Sequence, residues 1–565
     1  MMPEIQSQTL NDLLEELAGR YFDRPALGWA DKDPITYGEF MDRVGRVAEL
    51  LRESGIGHGD RVAILGENSP NWGIAYFSTV RVGAVAVPIL PDFPESDIRH
   101  ILMDSESKLL FATSRQLEKI DDLGCCQVQY VITLDDFQTE LPNIQVQTFS
   151  HTLERALDFI KKFPSTIGLK SRQVSADDLA SIIYTSGTSG HSKAVMLTHG
   201  NFTANVKSCR GLAPVTHDYI FLSMLPLSHT YEFTVGFLYP FSHGAQIRYL
   251  DRPPTPRVLE EICSRLRPHA ICSVPLILEK IFKKKVLPLI EQKRLVRAAL
   301  HVPLVRRKIY RKINDSLMTF FGGRLEVMAV GGAPFNFEAE RLFRAIGFPY
   351  LVGYGLTETA PLLAGGPMGD DSIQVGSIGK VIPGVQIRIH EPEGDPGIGE
   401  ICAKGENVMK GYYKNPRQTE EVFDRDGWLH TGDLGYFDRY DNLIITGRCK
   451  NMILMSNGEN IFPEAIEDVL NSMMLVSEAL VLERNGRLEA WIYLDYDLVD
   501  SETRGRSEDE RAKYIDHALA QIKAEANERL STYSKLSAII ERKEPFIKTA
   551  TSKIKRYLYT RDGVV

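Results

Sequence analysis

The chain has 565 residues, 43% hydrophobic and 25% charged, with a formal net charge of −8. One hydrophobic core rarely organises more than about 250–300 residues, so more than one domain is expected, and the apolar fraction suits a globular protein needing neither disulfides nor metals for its core. The mild acidity gives no global footprint for nucleic acid, and seven scattered cysteines without a CxxC pair argue against a disulfide framework or a cysteine zinc site and for a reducing compartment.

Residues 1–22 read as an acidic amphipathic helix, with Leu10, Leu13, Leu14 and Leu17 at helical spacing and no basic start or apolar block of a signal peptide. No apolar run is long enough to span a bilayer, which predicts a cytoplasmic protein. Helical stretches at Tyr37–Glu53, Pro70–Arg81 and 94–105 then separate β-rich runs at Arg61–Leu65, Val85–Ile89 and Leu109–Ala112. Such alternation predicts an α/β fold of layered sheets, and it continues to about Gly353. From 376 to 448 the texture becomes short strands (385–389, 400–403, 443–445) with Gly, Asp and Pro turns, a β-rich lobe. Beyond Lys450 come a helix at 463–470, strands at 478–482 and 488–494, a charged helix at 507–529, and a strand with a basic tail at 536–556. The expected organisation is a large N-terminal domain, 1–449, and a small mobile α+β domain, 450–565.

Two β-like runs, 181–184 and 194–197, flank the loop Thr185, Ser186, Gly187, Thr188, Ser189, Gly190, His191, Ser192, Lys193. Small hydroxyl residues and two glycines let backbone N–H groups converge on an anion, and Lys193 adds a point charge for phosphate. The spacing is wrong for a Walker A loop, which places Lys directly after its second Gly and a helix behind it. By itself the loop reads equally well as a surface hairpin turn. Four further blocks follow: Gly331-Gly332-Ala333-Pro334 after an apolar run; Gly353-Tyr354-Gly355-Leu356-Thr357-Glu358-Thr359; Trp428 to Asp433 (WLHTGD) with Thr446-Gly447-Arg448 close behind; and Lys548 to Lys553 in the basic tail.

In this order, over roughly 36–556, the blocks resemble the adenylate-forming (AMP-binding) ligase superfamily, in its long-chain fatty acid–CoA ligase branch. The resemblance implies a loop that cradles ATP phosphates, Gly331, Gly332 and Ala333 as the adenine turn, and Gly353, Tyr354 and Gly355 beside the base. It implies Thr357 on the α-phosphate, Glu358 as the Mg²⁺ ligand, and Asp433 and Arg448 on the ribose. Lys553 would be the catalytic ammonium, Lys450 the hinge, and Gly458 would flank a CoA tunnel. Where the family usually has Thr, Pro and Gly in the loop, this chain has Ser189, Ser192 and Ala194; before the lysine it has Ile547 for Pro and Ser552 for Gly. Ser189 keeps the hydroxyl, and the other two loop changes alter stiffness without removing a phosphate donor.

The segment Leu225 to Phe233 resembles the motif bordering the acyl site, with His229 near the carboxylate and Phe233 as an aromatic gate; a packed histidine and a core phenylalanine are the plainer alternatives. Residues 274–282 and 309–323 resemble the long-chain branch. The implied reaction consumes ATP and a long-chain fatty acid, uses Mg²⁺, and passes the acyl group to CoA. An acyl-carrier-protein acceptor, or a non-catalytic nucleotide- or lipid-binding member, are the alternatives. Residues 280–312 are strongly basic with Glu291 the one acid, interleaved with apolar residues. A solvated basic helix pair, or a face that meets an anionic membrane at the inner surface, both fit that pattern. A homodimer is the other partner expectation.

Overall fold

A computed structural model describes residues 6–120, 126–135, 174–185, 192–286, 300–455, 460–549 and 553–560. Two large sheets dominate the N-terminal part. The first has eight strands in the order Leu362–Gly365, Tyr350–Gly355, Val327–Val330, Ala270–Ser273, Ile220–Ser223, Gln246–Tyr249, Pro25–Trp29, Ile35–Thr36. The second has seven: Gly411–Tyr412, Lys193–Thr198, Leu179–Thr185, Val85–Ile89, Arg61–Leu65, Leu109–Ala112, Tyr130–Thr133. Their central strands pair in parallel and are buried along their length, as at Val62 to Leu65, because helices cover both faces.

The helix Pro70–Arg81 is wedged between the sheets. Ser69 caps it, accepting from the Trp72 N–H, and Pro70 stands at a first-turn position where its missing N–H costs nothing. Every residue from Asn71 to Arg81 is buried, so the helix is apolar around most of its girth rather than along one stripe. Trp72, Tyr76 and Phe77 meet Phe233, Phe237 and Phe241 in one aromatic cluster, and the Tyr76 hydroxyl reaches Ser181 Oγ at 2.7 Å. The second sheet is thereby tied to the helical run of residues 230–242, which follows His229.

The N-terminal helix is present as Leu10–Tyr21, started by a Thr9–Asp12 capping box, with Leu10, Leu13, Leu14 and Leu17 all buried. The helix at 94–105 forms as Glu95–Ser105, and that at 507–529 as Glu508–Arg529 with a Ser507–Glu510 capping box. The β-rich lobe is a four-stranded antiparallel sheet, Val385–Glu393, Ile398–Gly405, Leu429–Phe437, Leu443–Arg448. Two of its features differ from the sequence expectation. Its strands run further than 385–389 and 400–403, and the WLHTGD block is itself a strand, disguised by Gly432 at φ +74°. Past Ile453 a three-stranded sheet (Val476–Arg484, Arg487–Leu494, Ala538–Arg542) packs with helices Pro463–Asn471 and Glu508–Arg529 around its own apolar core, centred on Ile466, Leu470, Val481 and Ile492.

Among the described residues no helix is long and apolar enough to cross a membrane.

Candidate active site

The site is built where strand ends from the first sheet, the second sheet and the four-stranded lobe meet the last segment of the chain. Leu179–Thr185 and Lys193–Thr198 pair antiparallel, Thr185 opposite Lys193, so strands flank the Ser/Thr/Gly segment on both sides. Ser186, Gly187, Thr188, Ser189 and Gly190 lie outside the described residues, as does Gly458. Lys193 extends back over the Tyr412 ring, 4.7 Å from its centre, with Nζ 3.2 Å from the Tyr412 hydroxyl. That hydroxyl donates in turn to Glu358 Oε1 at 2.9 Å. Glu358 lies in the short turn Thr357–Thr359 that follows Gly355. A side chain at Gly355 would run into the Pro361 carbonyl at 1.9 Å, so only glycine lets the chain turn there.

On the facing lobe Asp433 and Arg448 are cross-strand partners. Asp433 is buried, with Oδ2 accepting from the Tyr354 hydroxyl at 2.8 Å and Oδ1 3.0 Å from Arg448 Nε. Each oxygen keeps a lone pair for a further donor. Tyr354, named beside the base, is thus fixed through Asp433. Gly331 begins the turn after Val327–Val330; Gly332, at φ +85°, and Ala333 stand exposed at the cleft.

Lys553 enters from the far side on a small hairpin in which Lys548 bridges Ile554 and Thr549 N–H donates to the Lys553 carbonyl at 2.8 Å. Its side chain is exposed in part, yet protein crowds the ammonium. That desolvation, and then the Arg448 charge, pull its pKa below the ordinary lysine range, against the opposite pull of Asp433 and Glu358. Lys193 is lowered in the same way, by desolvation first, with Glu358 opposing and Lys450 and Arg448 adding to the effect. Arg448 thus bears on both lysines and Lys450 on Lys193, while Glu358 opposes the effect at both lysines and Asp433 at Lys553. Lys450 itself is exposed in the turn Cys449–Asn451.

His229 lies within reach of the Lys553 charge. Enclosure, and then that charge, push its pKa down to about 4, so it is neutral at pH 7. Its Nδ1 accepts the Tyr231 N–H at 3.2 Å, which leaves Nε2 carrying the proton and able to donate. Phe233 is packed among Trp72, Tyr76, Phe202 and Phe237. On the other side of its helical run, Val235 and Tyr239 line an apolar cavity of ≈ 40 Å³ with Cys209, Leu212, Cys272 and Leu351. Phe233 is not among its lining residues. Leu351 also borders a cavity of ≈ 190 Å³ that reaches Arg344 and Met368.

Two contributors were not legible in the sequence. Tyr412 links Lys193 to Glu358 from a strand far along the chain, and no local spacing signals it. Glu400 braces the turn before Asp433: Oε1 accepts the Gly432 N–H at 3.0 Å and Oε2 lies 2.6 Å from His430 Nδ1. Glu400, Cys402 and His430 could converge on a cation, their donor atoms lying within 4.8 Å of one another. His430 and Glu400 already satisfy each other, and the Arg388 charge stands beside Cys402, so the trio acts as a brace.

The AMP-binding enzyme family model matches residues 14–413. The chain belongs to this family of adenylate-forming ligases. The long-chain-fatty-acid–CoA ligase heimdall of Drosophila melanogaster is 30% identical over 85% of this chain and 75% of its own. Long chain acyl-CoA synthetase 1 of Arabidopsis thaliana is 30% identical over 85% and 78%. A chloroplastic long-chain-fatty-acid–acyl-carrier-protein ligase of Arabidopsis thaliana is 27% identical over 84% and 75%. Among solved structures, ATP-bound MatB from Rhodopseudomonas palustris shares the fold, with a TM-score of 0.74 and 24% identity over 97% of each chain.

Replacing Glu400 by Ala removes the acceptor of the Gly432 N–H and is expected to weaken ATP binding roughly tenfold, the worth of one charged hydrogen bond. Calorimetric titration checks this; unchanged affinity would mean that the Gly432 turn holds its shape without the brace.

Proposed function

We propose that the protein activates a long-chain fatty acid with ATP to an acyl-adenylate and then transfers the acyl group to CoA, releasing pyrophosphate and AMP. The observation that carries the reading is the convergence of Lys193, Arg448, Lys450 and Lys553 on one cleft that also holds Glu358, Asp433 and a neutral His229. Carboxylate and triphosphate are both anions, so their reaction needs concentrated positive charge at the meeting point.

In the first step the fatty acid carboxylate attacks the α-phosphorus. Its P–O bond forms as the bond to the β-phosphate bridge breaks, and pyrophosphate leaves with the electron pair. Lys193 and the loop amides hold the β- and γ-phosphates. Thr357 donates to the α-phosphate, and Lys553 neutralises the charge growing on the oxygens of the attacked phosphate. Asp433 and Arg448 fix the ribose; Gly331 to Ala333, with Gly353 to Gly355, receive the adenine. Glu358 offers the hard oxygen that suits Mg²⁺, which when bound would neutralise phosphate charge. His229 Nε2–H orients the carboxylate. In the second step the CoA thiolate attacks the acyl carbonyl and AMP departs. Division of the chain at Lys450 lets the smaller unit swing, withdrawing Lys553 and bringing Gly458 toward the thiol arm.

The apolar lining of the small cavity beside Val235 and Tyr239 supports an acid with a hydrocarbon tail, which would have to widen it. The acyl-carrier-protein ligase relative supports a second reading, in which a carrier protein replaces CoA as acceptor. A peripheral membrane contact fits the start of helix Pro303–Phe320. There Val302 and Leu304 are 50% and 78% exposed, beside exposed Arg306, Arg307, Lys308, Arg311 and Lys312.

AMP release measured against a panel of fatty acids is expected to peak with long chains and to require CoA. Release with a carrier protein but not CoA would move the acceptor, and no release with any acid would refute the activity. Lys553→Ala should lose adenylation by 100-fold or more, on the order of a lost charge-stabilising donor, while sparing thioester formation from supplied acyl-AMP. Because the ammonium is the active form and its pKa is lowered, adenylation should fall with rising pH earlier than an ordinary lysine would dictate.

Vesicle sedimentation checks the basic face: binding should rise with anionic lipid and drop in an Arg306→Glu/Arg307→Glu variant. Binding indifferent to lipid charge would contradict the membrane contact.

A further inference from the structure

The adenine turn is joined to Lys553 by two hydrogen-bonded links, Asn336 to Asp468 and Glu467 to Arg556, connected through short stretches of backbone that the proposed chemistry does not use. Asn336 lies two residues beyond Pro334 and is buried. It caps the helix Phe337–Ile346, its Oδ1 accepting the Ala339 N–H at 3.1 Å, and its own N–H donates to Glu279 Oε1 at 3.0 Å. Its Nδ2 crosses to the C-terminal part of the chain, donating to the Asp468 carbonyl and to Asp468 Oδ1, both at 3.0 Å. Asp468 Oδ2 lies 3.4 Å from the Phe337 N–H, so the carboxylate also faces the first turn of that helix. The next residue back, Glu467, holds Arg556 through two 2.7 Å contacts, and Arg556 stands three residues past Lys553. Lys283 adds a parallel tie, Nζ to the Val476 carbonyl at 2.8 Å.

We propose that Asn336 and Asp468 form a docking latch, a pair of positioning residues that couples occupancy of the adenine turn to seating of the unit that carries Lys553. This rests on the adenylation reading above. A nucleotide that fixes residues 331–334 fixes Asn336 two residues on, and so presents the donor that Asp468 requires. Asp468 then registers helix Pro463–Asn471, and through Glu467 and Arg556 it registers the lysine hairpin. When the unit swings away for the second step the latch opens, and by linkage nucleotide affinity falls by the same factor that docking loses.

The test replaces the donor without removing the cap. Asn336→Asp keeps a good helix N-cap but turns a carboxylate toward Asp468. At pH 8 it should slow acyl-AMP formation about ten- to a hundredfold and weaken ATP binding by a similar factor, the usual span of such couplings. Thioester formation from supplied acyl-AMP and CoA should remain within about twofold. Adding Asp468→Asn restores a donor–acceptor pair with the roles exchanged and should recover most of both losses. Equal loss in both half-reactions, no loss in either, or failure of the exchanged pair to recover would overturn the latch. ATP affinity is read by calorimetry without any acid present, so that arm tests the latch even if the wild-type protein makes no acyl-AMP.

Discussion

Mutual repulsion among cations in one cleft is the constraint on which the remaining arrangement depends. Lys193, the Arg448–Lys450 segment and Lys553 come from three separate places in a chain whose net charge is −8. Folding them together is unfavourable unless something anionic offsets them. Asp433 and Glu358 do so in part, each held by a tyrosine hydroxyl, Tyr354 and Tyr412, that fixes it without neutralising it. The pKa of both lysines is lowered, first by desolvation and then by the neighbouring cations, against the pull of the two carboxylates. A polyphosphate is the natural complement of such a site, and a carboxylate brought beside it would be drawn into contact range.

The fold supplies this convergence by economy of position. The hairpin Leu179–Thr185 and Lys193–Thr198 sits beside Val85–Ile89 at one border of the parallel strands of its sheet, the turns after Val327–Val330 and Tyr350–Gly355 end strands of the other large sheet, and the wedged helix Pro70–Arg81 keeps the two sheets in register. The four-stranded lobe adds Asp433 and Arg448 from adjacent strands, where antiparallel register fixes their spacing. Lys553 arrives on a separate unit with its own core.

Much of this was legible in the sequence because it is local. The N-terminal helix follows from four leucines at helical spacing, although its start at Leu10 is set by the Thr9 capping box. Strands flanking the Ser/Thr/Gly loop follow from two short apolar runs, and the order of the blocks pointed to the family. Long-range geometry was less accessible. Tyr412 acts across a gap that no periodicity spans, and Glu400 acts through a backbone N–H rather than a side-chain motif. The strand Leu429–Phe437 was hidden by a positive-φ glycine that reads as a turn. His229 and Phe233 had core alternatives in the sequence: Phe233 is packed in an aromatic core, whereas His229 is both enclosed and close to the lysine charge.

The account turns on the bond that breaks in ATP. Incubating the protein with α-labelled ATP and palmitate in the absence of CoA, then quenching and resolving the products, reads that bond directly. Cleavage between the α- and β-phosphates should give pyrophosphate and an enzyme-bound palmitoyl-AMP that CoA chases to thioester. ADP and inorganic phosphate in place of those products would contradict the account.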